Sequence, residues 1–497
     1  MQLKHFLPLL FCIFLSPKIS AQSKYEMRGV WVATVVNIDW PSSSNLSTKA
    51  QKSEIIKILD NCEELKLNAV FLQVRSCGDA IYKSSTEPWS KYLTGKQGLP
   101  PAPYYDPLNF WVEEAHKRGI ELHAWINPYR VSMERDEKLS PNHVANRHRN
   151  WVIEYGGKQY LNPGEPEVVD YIKYIVSELI TKYQIDGIHL DDYFYPYPVK
   201  SETFDDEWSY KRYGFNYQNI DDWRRDNVNR VVESIHNTIK LANKGVKFGI
   251  SPFGIWRNNS MDLMGSETEG GLTNYDDLYA DVLEWIKNGW LDYIAPQLYW
   301  DLNHKKANYA TLLQWWRENS GNTPLFIGES LYKINSKDKN WSDKNEMKKH
   351  IELCRSTSGN GGNIFFSANH FNRDLHDFQS DITDSLYLFT AIPPYFHKGD
   401  LPNSTVVKIK KKRKGIIITE LNRDIDRGSL NRFGVYRFSE TELGNYPYSK
   451  NLVSITYGNK ISLPKVEKSK IGRFGITYIA PNGQESPLSN IIEIKGR

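Results

Sequence analysis

Two adjacent aspartates follow a short apolar segment near the middle of the chain. The ten residues that begin at Gly187 read GIHLDDYFYP. If this segment is a strand, His189 and Asp191 point to one face, because side chains alternate along a strand, and Asp192 follows at its end. A carboxylate at either aspartate can attack an anomeric carbon or stabilise an oxocarbenium-like transition state. The alternative is that the pair forms structural hydrogen bonds or caps a turn.

Cleavage of a glycosidic bond also needs a carboxyl group that gives a proton to the leaving oxygen. Asp301 ends the later segment IAPQLYWD, Glu329 lies in the segment IGESLY, and Asp79 follows FLQVRSCG. Position favours Asp301 as the second catalytic carboxyl, with Glu329 next. Acids at strand ends also bind Lys or Arg from neighbouring loops, so each keeps a structural alternative.

The ends of these segments carry further groups suited to binding sugars. Trp and Tyr rings stack on sugar rings, and amide, imidazole and guanidinium groups hydrogen-bond hydroxyls. The predicted hydrogen-bonding residues are Gln73, Arg75, His123, Asn127, Tyr129, Arg130, His189 and Gln297. The predicted stacking residues are Trp125, Tyr193, Tyr195, Trp256, Tyr299 and Trp300, with core packing as the equal alternative for any one of them.

Short apolar segments alternate with amphipathic segments along most of the chain. This alternation predicts an α/β fold, a parallel sheet closed into a (β/α)8 TIM barrel, with active residues at the carboxyl ends of the strands. An open doubly wound sheet is disfavoured, because no glycine-rich phosphate loop follows the first strand. The predicted strands are Arg28–Val36, Asn68–Arg75, Glu121–Asn127, Gly187–Asp191, Lys247–Ser251, Tyr293–Tyr299, Leu325–Glu329 and Asn363–Ser367. The predicted helices are Ser53–Leu65, Pro107–Arg118, Pro166–Tyr183, Trp223–Ala242, Asp276–Asn288, Tyr309–Ser320, Lys344–Ser356 and Asp374–Thr390.

The two ends of the chain differ from this central part, which we bound at residues 26–395. Met1–Ala21 has an early Lys, an apolar run and small residues at its end, which predicts a signal peptide and export to the periplasm or beyond the cell. Residues 400–497 read as short strands and predict a small all-β sandwich of the immunoglobulin or fibronectin type III kind. The ending ITYIAPNGQESPLSN resembles the last hairpin of a fibronectin type III domain. The basic run Lys408–Lys414 is interpreted as a solvated strand edge or linker.

Composition excludes several classes of function. The formal net charge of +4 is small and basic residues are scattered among acids, which argues against a nucleic-acid partner. No segment is long and apolar enough to span a membrane. The first predicted strand lacks the His-x-His pair of metal-dependent barrel hydrolases, and Cys62, Cys77 and Cys354 fit no zinc site, so we predict no metal and no cofactor. Nothing in the sequence requires more than a monomer.

Several longer motifs together resemble the glycosyl hydrolase-like 10 family, over a span from about Glu26 to about Pro394. They are MRGVWVATV at Met27, NAVFLQVR at Asn68, HAWINPYR at His123, DGIHLDDYFYP at Asp186, FGISPFGIWRN at Phe248 and DYIAPQLYWD at Asp292. The resemblance implies a (β/α)8 barrel with a glycosidase role and places the family's paired aspartates on Asp191 and Asp192. It also implies that peptidoglycan glycan strands, which some members cut, are a candidate substrate.

The sequence therefore predicts an exported glycoside hydrolase that acts on a polysaccharide by paired-carboxylate chemistry. The alternative is a non-catalytic carbohydrate-binding or cell-envelope scaffold protein that keeps the barrel cleft, because a fold does not by itself establish a function.

Overall fold

The computed structural model describes residues 22–242, 245–358 and 361–395, and in the C-terminal part residues 408–412, 415–420, 431–439, 449–458, 460, 461, 463, 466 and 470–495. The predicted signal peptide at residues 1–21 lies outside the described residues.

Strands and helices alternate through the described residues before position 396. The strands are β1 (Met27–Val32), β2 (Ala69–Arg75), β3 (Glu121–Ile126), β4 (Arg130–Ser132), β5 (Val152–Tyr155), β6 (Lys158–Leu161), β7 (Gly187–Leu190), β8 (Lys247–Ile250), β9 (Tyr293–Ile294), β10 (Ile327–Glu329) and β11 (Gly362–Phe365). The helices are α1 (Thr48–Glu64), α2 (Lys91–Thr94), α3 (Pro107–Lys117), α4 (Val144–Arg147), α5 (Pro166–Lys182), α6 (Glu207–Tyr213), α7 (Ile220–Ala242), α8 (Asn274–Asp277), α9 (Val282–Lys287), α10 (Tyr309–Asn319), α11 (Glu346–Ser358) and α12 (Phe378–Asp381).

Eight of these strands form one parallel sheet in the order β10-β11-β1-β2-β3-β7-β8-β9. The sheet curls until its outer strands meet. The amide of Ile294 donates to the carbonyl of Pro324, and the amide of Phe326 donates to the carbonyl of Ile294, each at 2.9 Å. Every segment predicted as a strand contributes to this sheet, so the prediction of eight parallel strands alternating with helices is confirmed.

Local sequence explains where the helices of this layer begin. Ser47, Asp106 and Asn308 each accept a hydrogen bond from a backbone amide in the first turn of the helix that follows. Pro107 and Pro166 occupy the first helical position, where the missing amide costs nothing.

Two predicted helices are shorter in the structure. The predicted helix Asp276–Asn288 is divided into α8 and α9 at Tyr279, whose φ of 53° lies in the left-handed region. The predicted helix Asp374–Thr390 is reduced to α12 and a π turn at Ile382–Leu386. In that turn Ser385 Oγ donates to the carbonyl of Asp381 at 2.8 Å, a side-chain bond that competes with regular helix geometry.

A small antiparallel sheet between β3 and α5 is absent from the sequence-based prediction. Its order is β4-β6-β5, and Arg130 of β4 lies opposite Tyr160 of β6. This sheet follows the carboxyl end of β3 and forms one wall of the cleft described below.

A line of hydrogen-bonded side chains fills the axis of the large sheet. The indole of Trp31 is only a donor, so the Nε2 atom of His189, 3.1 Å away, accepts its hydrogen and leaves the proton on Nδ1. His189 Nδ1 then donates to the hydroxyl of Tyr293, and that hydroxyl donates to Nδ1 of His123, each over 3.0 Å. His123 Nε2 donates to Glu121 over 3.1 Å. Burial lowers the pKa of both histidines, which agrees with neutral rings in this line.

Glycines on two strands make room for these rings. A Cβ atom at Gly187 would lie 2.3 Å from His123 Nδ1, and one at Gly249 would lie 2.1 Å from the ring of Tyr293. The sequence-based placement of Gly187 and His189 on the inner face is therefore confirmed.

The C-terminal part contains two antiparallel sheets. The strands are β12 (Lys408–Lys412), β13 (Gly415–Glu420), β14 (Arg432–Phe438), β15 (Leu452–Tyr457), β16 (Lys460–Ile461), β17 (Ile471–Ile479) and β18 (Ile492–Lys495). They pair in the orders β12-β13-β16 and β15-β14-β17-β18. An all-β C-terminal part is thus confirmed. The basic run supplies β12 at the edge of the three-stranded sheet, while Arg413 and Lys414 lie outside the described residues.

The C-terminal sheets pack against the amino ends of the barrel strands. Arg432 forms a buried ion pair with Glu121 at the start of β3, and Lys247 Nζ contacts the same carboxylate at 2.5 and 2.6 Å. The Tyr457 hydroxyl donates to Asp186 at 2.9 Å, and its ring stacks on His116 with centroids 3.9 Å apart. Arg432 and Tyr457 thereby join the C-terminal part to the end of the barrel opposite the cleft.

Within the described residues, no helix is long and apolar enough to cross a membrane. The same residues contain no cluster of His, Cys, Asp or Glu that could hold a metal ion. Cys62, Cys77 and Cys354 are buried, and no disulfide joins them in the described part of the chain.

Candidate active site

A cleft of about 580 Å³ opens at the carboxyl ends of the barrel strands. Its aromatic walls are formed by Trp31, Trp125, Tyr160, Tyr193, Tyr197, Phe253, Tyr299, Trp300, Tyr332 and Phe366. Its polar lining consists of Gln73, Arg130, Lys158, Asp191, Asp192, Ser251, Gln297 and Lys333. Flat rings around a few polar groups are typical of a carbohydrate site.

The carboxylates in this lining are Asp191 and Asp192. They follow directly after β7 and are only 5% and 3% exposed. Asp191 Oδ2 accepts a hydrogen bond from Trp125 Nε1 at 3.0 Å and a second one from Asn127 Nδ2. Its Oδ1 atom accepts from the backbone amide of Tyr193 at 3.2 Å. Three donors therefore fix the orientation of the Asp191 carboxyl group.

A chain of two amides determines which end of Asn127 faces Asp191. Gln73 Oε1 accepts from the backbone amides of Thr34 and Val35 at 3.0 and 2.9 Å, so its Nε2 must donate to Asn127 Oδ1, at 2.5 Å. Asn127 then presents Nδ2 to Asp191. Gln73 thus orients Asn127, and Asn127 orients the carboxyl group of Asp191.

The two aspartates have different proton affinities. Burial raises the pKa of Asp191 to about 7, the neighbouring Asp192 carboxylate adds to this rise, and Arg130 opposes it. Burial also raises the pKa of Asp192, against the hydrogen bonds donated by Tyr197 and Gln297. Because the charge of Asp192 contributes to the high pKa of Asp191, Asp192 ionises first and Asp191 keeps its proton to higher pH.

The floor of the cleft consists of neutral, hydrogen-bonded groups. Ser251 lines the cleft and lies with its Oγ 3.0 Å from His189 Nε2, while Gln297 Nε2 donates to the carbonyl of Ser251 at 2.9 Å. His189 itself is completely buried beneath this layer and belongs to the axial line.

The structure brings many of the predicted site residues together. Those that line the cleft are Gln73, Trp125, Arg130, Asp191, Asp192, Tyr193, Gln297, Tyr299 and Trp300. Asn127 and His189 lie directly behind this lining, while His123 lies deeper on the barrel axis.

Other predicted binding residues lie outside the cleft lining. Arg75 is buried in an ion pair with Glu87 at 2.8 Å, and the Tyr195 hydroxyl accepts from Asn227 at 3.2 Å. Tyr129 is buried in the core, and Trp256 stacks on Trp315 with centroids 5.9 Å apart. For Tyr195 and Trp256 the alternative of core packing describes their surroundings.

The two carboxyl groups predicted to assist Asp191 also lie outside the lining. Asp301 is buried, and its Oδ1 accepts from the backbone amide of Asn303 at 2.9 Å, which makes it a turn residue. Glu329 is completely buried behind the barrel wall, where it accepts from Tyr309 at 2.7 Å and from His350 at 3.0 Å. Asp79 accepts from Gln97 at 3.1 Å and does not line the cleft either.

Several lining residues were not predicted. Trp31 and Phe253 lie in the quoted motifs and carried a signal, because each is an aromatic residue on or just after a barrel strand. Lys158 and Tyr160 lie on β6, in the small sheet that the sequence did not reveal. Tyr197, Tyr332, Lys333 and Phe366 lie in loops after the strands, where alternation no longer indicates a direction.

This arrangement combines a buried carboxyl group that holds a proton near neutral pH with a second carboxylate beside it. Such a pair can protonate a leaving oxygen and stabilise positive charge at the carbon it leaves. The aromatic walls can hold sugar rings on both sides of that point.

The chain is similar to several known proteins. Residues 26–343 match the model of the family described as Glycosyl hydrolase-like 10. The chain is 47% identical over 381 residues to Glycosyl hydrolase YngK of Bacillus subtilis (strain 168), covering 76% of this chain and 74% of that protein. It is 40% identical over 382 residues to Glycosyl hydrolase DigH of Escherichia coli (strain K12), covering 72% of this chain and 86% of that protein. The PgaB (BpsB) glycoside hydrolase domain from Bordetella bronchiseptica superposes with a TM-score of 0.49 at 12% identity, covering 73% of this chain and 99% of that chain.

Proposed function

Because this chain belongs to the glycosyl hydrolase-like 10 family, we propose that it is a glycosidase whose paired carboxylates are Asp191 and Asp192. One observation carries the proposal. In the part of the chain that the structure describes, these two are the carboxylates that line the aromatic cleft, and they are buried side by side at the end of β7.

The two aspartates take different roles. Asp191, with a pKa of about 7, gives its proton to the oxygen of the leaving sugar. Asp192 is ionised and stabilises the positive charge that develops at the anomeric carbon. In one route Asp192 attacks the anomeric carbon and forms a glycosyl ester, which a water activated by the now deprotonated Asp191 then hydrolyses. In the other route a water that Asp192 deprotonates attacks the anomeric carbon directly. The anomeric configuration of the product distinguishes these two routes.

The substrate is a polysaccharide, and peptidoglycan glycan strands are the first candidate. The relatives that match over most of this chain are named glycosyl hydrolases, and the long aromatic cleft suits a chain of sugar rings. Residues 1–21 direct the protein out of the cytoplasm, and such a polymer lies outside it. The C-terminal part serves as a fibronectin type III-like spacer or as a polymer-binding unit.

The test measures new reducing ends released from a panel of polysaccharides that includes peptidoglycan stripped of its stem peptides. Wild type, Asp191→Asn and Asp192→Asn are compared, with Asp301→Asn as the matched control outside the cleft. We expect cleavage by wild type and Asp301→Asn, and a loss of at least about a hundredfold in each of the other two variants.

An Asp191→Asn protein that is folded and fully active would remove Asp191 from the mechanism. If the wild type releases nothing but binds the glycans, the protein is a carbohydrate-binding protein instead. Circular dichroism of each variant shows that loss of activity does not arise from loss of the fold.

A further inference from the structure

Arg130 is a buried cation without a counter-ion. It is only 7% exposed, lines the cleft, and forms no ion pair and no side-chain hydrogen bond with any residue that the structure describes. Its guanidinium lies over the ring of Tyr193, 4.7 Å from the centroid. Buried guanidinium groups are normally paired with a carboxylate or hydrogen-bonded, so this one has binding capacity left for a ligand.

A second cation lies on the same wall. Arg130 on β4 is directly opposite Tyr160 on β6, and Lys158 lies two residues before Tyr160 on the same strand. Because side chains alternate along a strand, Lys158 and Tyr160 share one face of the small sheet with Arg130. All three line the cleft, and Lys158 also lacks an ion pair within the described residues.

The aspartates do not use these charges. The oxygens of Asp191 are engaged by Trp125, Asn127 and the amide of Tyr193, and neither aspartate forms an ion pair with Arg130. Arg130 nevertheless affects both electrostatically, because it opposes the rise in the pKa of each. It therefore lies close to the reacting groups without being held by them.

A third cation lies elsewhere in the lining. Lys333, which follows β10, donates through Nζ to the carbonyl of Tyr299 at 2.6 Å. Two of the three Lys and Arg side chains that line the cleft therefore lie on the wall formed by β4 and β6.

We propose that Arg130 and Lys158 form a subsite for a carboxylate carried by the sugar that binds next to the aspartates. The proposal rests on the proposed function, since it names the class of glycan that the same cleft accepts. A planar guanidinium binds a carboxylate through two parallel hydrogen bonds, and the ammonium of Lys158 adds a second charge. The subsite selects an acidic glycan over a neutral one with the same backbone.

Two kinds of sugar could supply the carboxylate, a lactyl ether on a hexosamine or a uronic acid. The experiment therefore uses peptidoglycan strands without stem peptides, the same strands after their carboxylates are converted to methylamides, chitin oligosaccharides, and polygalacturonate. Amidation removes the charge and leaves rings and linkages unchanged.

Hydrolysis and binding are measured separately. Reducing-end release gives kcat/KM for wild type, Lys158→Gln, and the double variant Arg130→Gln/Lys158→Gln. Calorimetric titration of Asp191→Asn, alone and combined with Lys158→Gln, gives affinity without turnover. Arg135→Gln is the matched control. Arg135 lies between β4 and β5, but it pairs with Glu154 at 3.4 Å and does not line the cleft.

We expect amidation to lower kcat/KM of the wild type by about tenfold or more, the loss typical of a charge-assisted hydrogen bond. The ratio of kcat/KM for acidic strands to kcat/KM for amidated strands should be smaller in Lys158→Gln and close to one in the double variant. In Arg135→Gln this ratio should equal that of the wild type. Preference for peptidoglycan strands indicates the lactyl carboxylate, and preference for polygalacturonate indicates a uronate.

Equal kcat/KM for the acidic and amidated strands would overturn the subsite while leaving the glycosidase intact. The reverse result is charge-dependent binding by Asp191→Asn that is weakened when Lys158→Gln is added, in a protein whose wild type releases no reducing ends. That result supports the subsite and rejects the proposed activity. Absence of both cleavage and charge-dependent binding rejects both.

Discussion

Replacement of Asn127 by Leu tests how the proton on Asp191 is controlled. Leu has nearly the shape of Asn, so it keeps water out while it removes the Nδ2 donor from the Asp191 carboxyl group. Loss of a donor favours the neutral form of a carboxyl group and raises its pKa. A hydrogen bond to a charged group contributes about 1.5–3 kcal/mol, and 1.36 kcal/mol corresponds to about one pKa unit, so we expect a rise of about one to two units.

The assay is the dependence of kcat/KM on pH. If Asp191 is the proton donor, activity falls as the pH rises through its pKa of about 7. In Asn127→Leu this alkaline limb should move upward, to about pH 8–9, while the maximal rate falls because the carboxyl group is less well oriented.

The control is Asn162→Leu, which also removes a buried amide but lies outside the cleft, where Asn162 Nδ2 donates to Ser209 at 2.7 Å. Its alkaline limb should match that of the wild type, although both variants lose stability. An alkaline limb that stays in place in a folded Asn127→Leu protein would refute the role of Asp191 as the acid.

Two further predictions concern stability. Arg432→Gln leaves the buried Glu121 with Lys247 and the hydrogen bond from His123 and should lower the free energy of unfolding by about 2 kcal/mol or more in urea titrations. An unchanged midpoint would contradict this prediction. His350→Gln should weaken the pH dependence of stability above the ordinary histidine pKa. Burial alone would lower the pKa of His350, but the carboxylates of Glu329 and Glu346 raise it overall. The stabilisation from protonated His350 is therefore present at low pH and is lost as the pH rises through the raised pKa. Thermal unfolding from about pH 6 to about pH 9 should therefore show a smaller loss in the variant than in the wild type, and parallel curves would contradict the assignment.

The sequence was sufficient to predict the sheet and the position of the two aspartates at the end of β7, because both depend on short-range patterns. Apolar segments bounded by helices predict buried parallel strands, and alternation from Gly187 placed His189 and Asp191 correctly on the inner face of the sheet. The same rule, applied to β10, gives a direction for Glu329. Glu329 shares a face with Ile327, which belongs to the hydrophobic core between the sheet and the helices.

Alternation fails where hydrogen bonding between strands stops. The predicted strand Tyr293–Tyr299 keeps hydrogen bonds to its neighbours as far as Leu298, whose amide donates to the carbonyl of Gly328 at 3.1 Å. Asp301 follows this pairing in a turn, so its position after the strand did not indicate where its side chain points. Lys158 and Tyr160 reach the cleft through a long-range pairing of β4 with β6, which no local pattern encodes.

If the proposed substrate is an insoluble polymer, the attachment of the C-terminal sheets determines how the cleft faces it. Arg432 and Tyr457 hold these sheets at the amino end of β3 and β7, while the cleft opens at the carboxyl end, about 20 Å away along a six-residue strand such as β3. A surface bound by the C-terminal part would face the amino ends of the barrel strands, and the cleft would open away from that surface. If the proposed polysaccharide is layered, the protein would bind one layer through its C-terminal part and cut strands of the next.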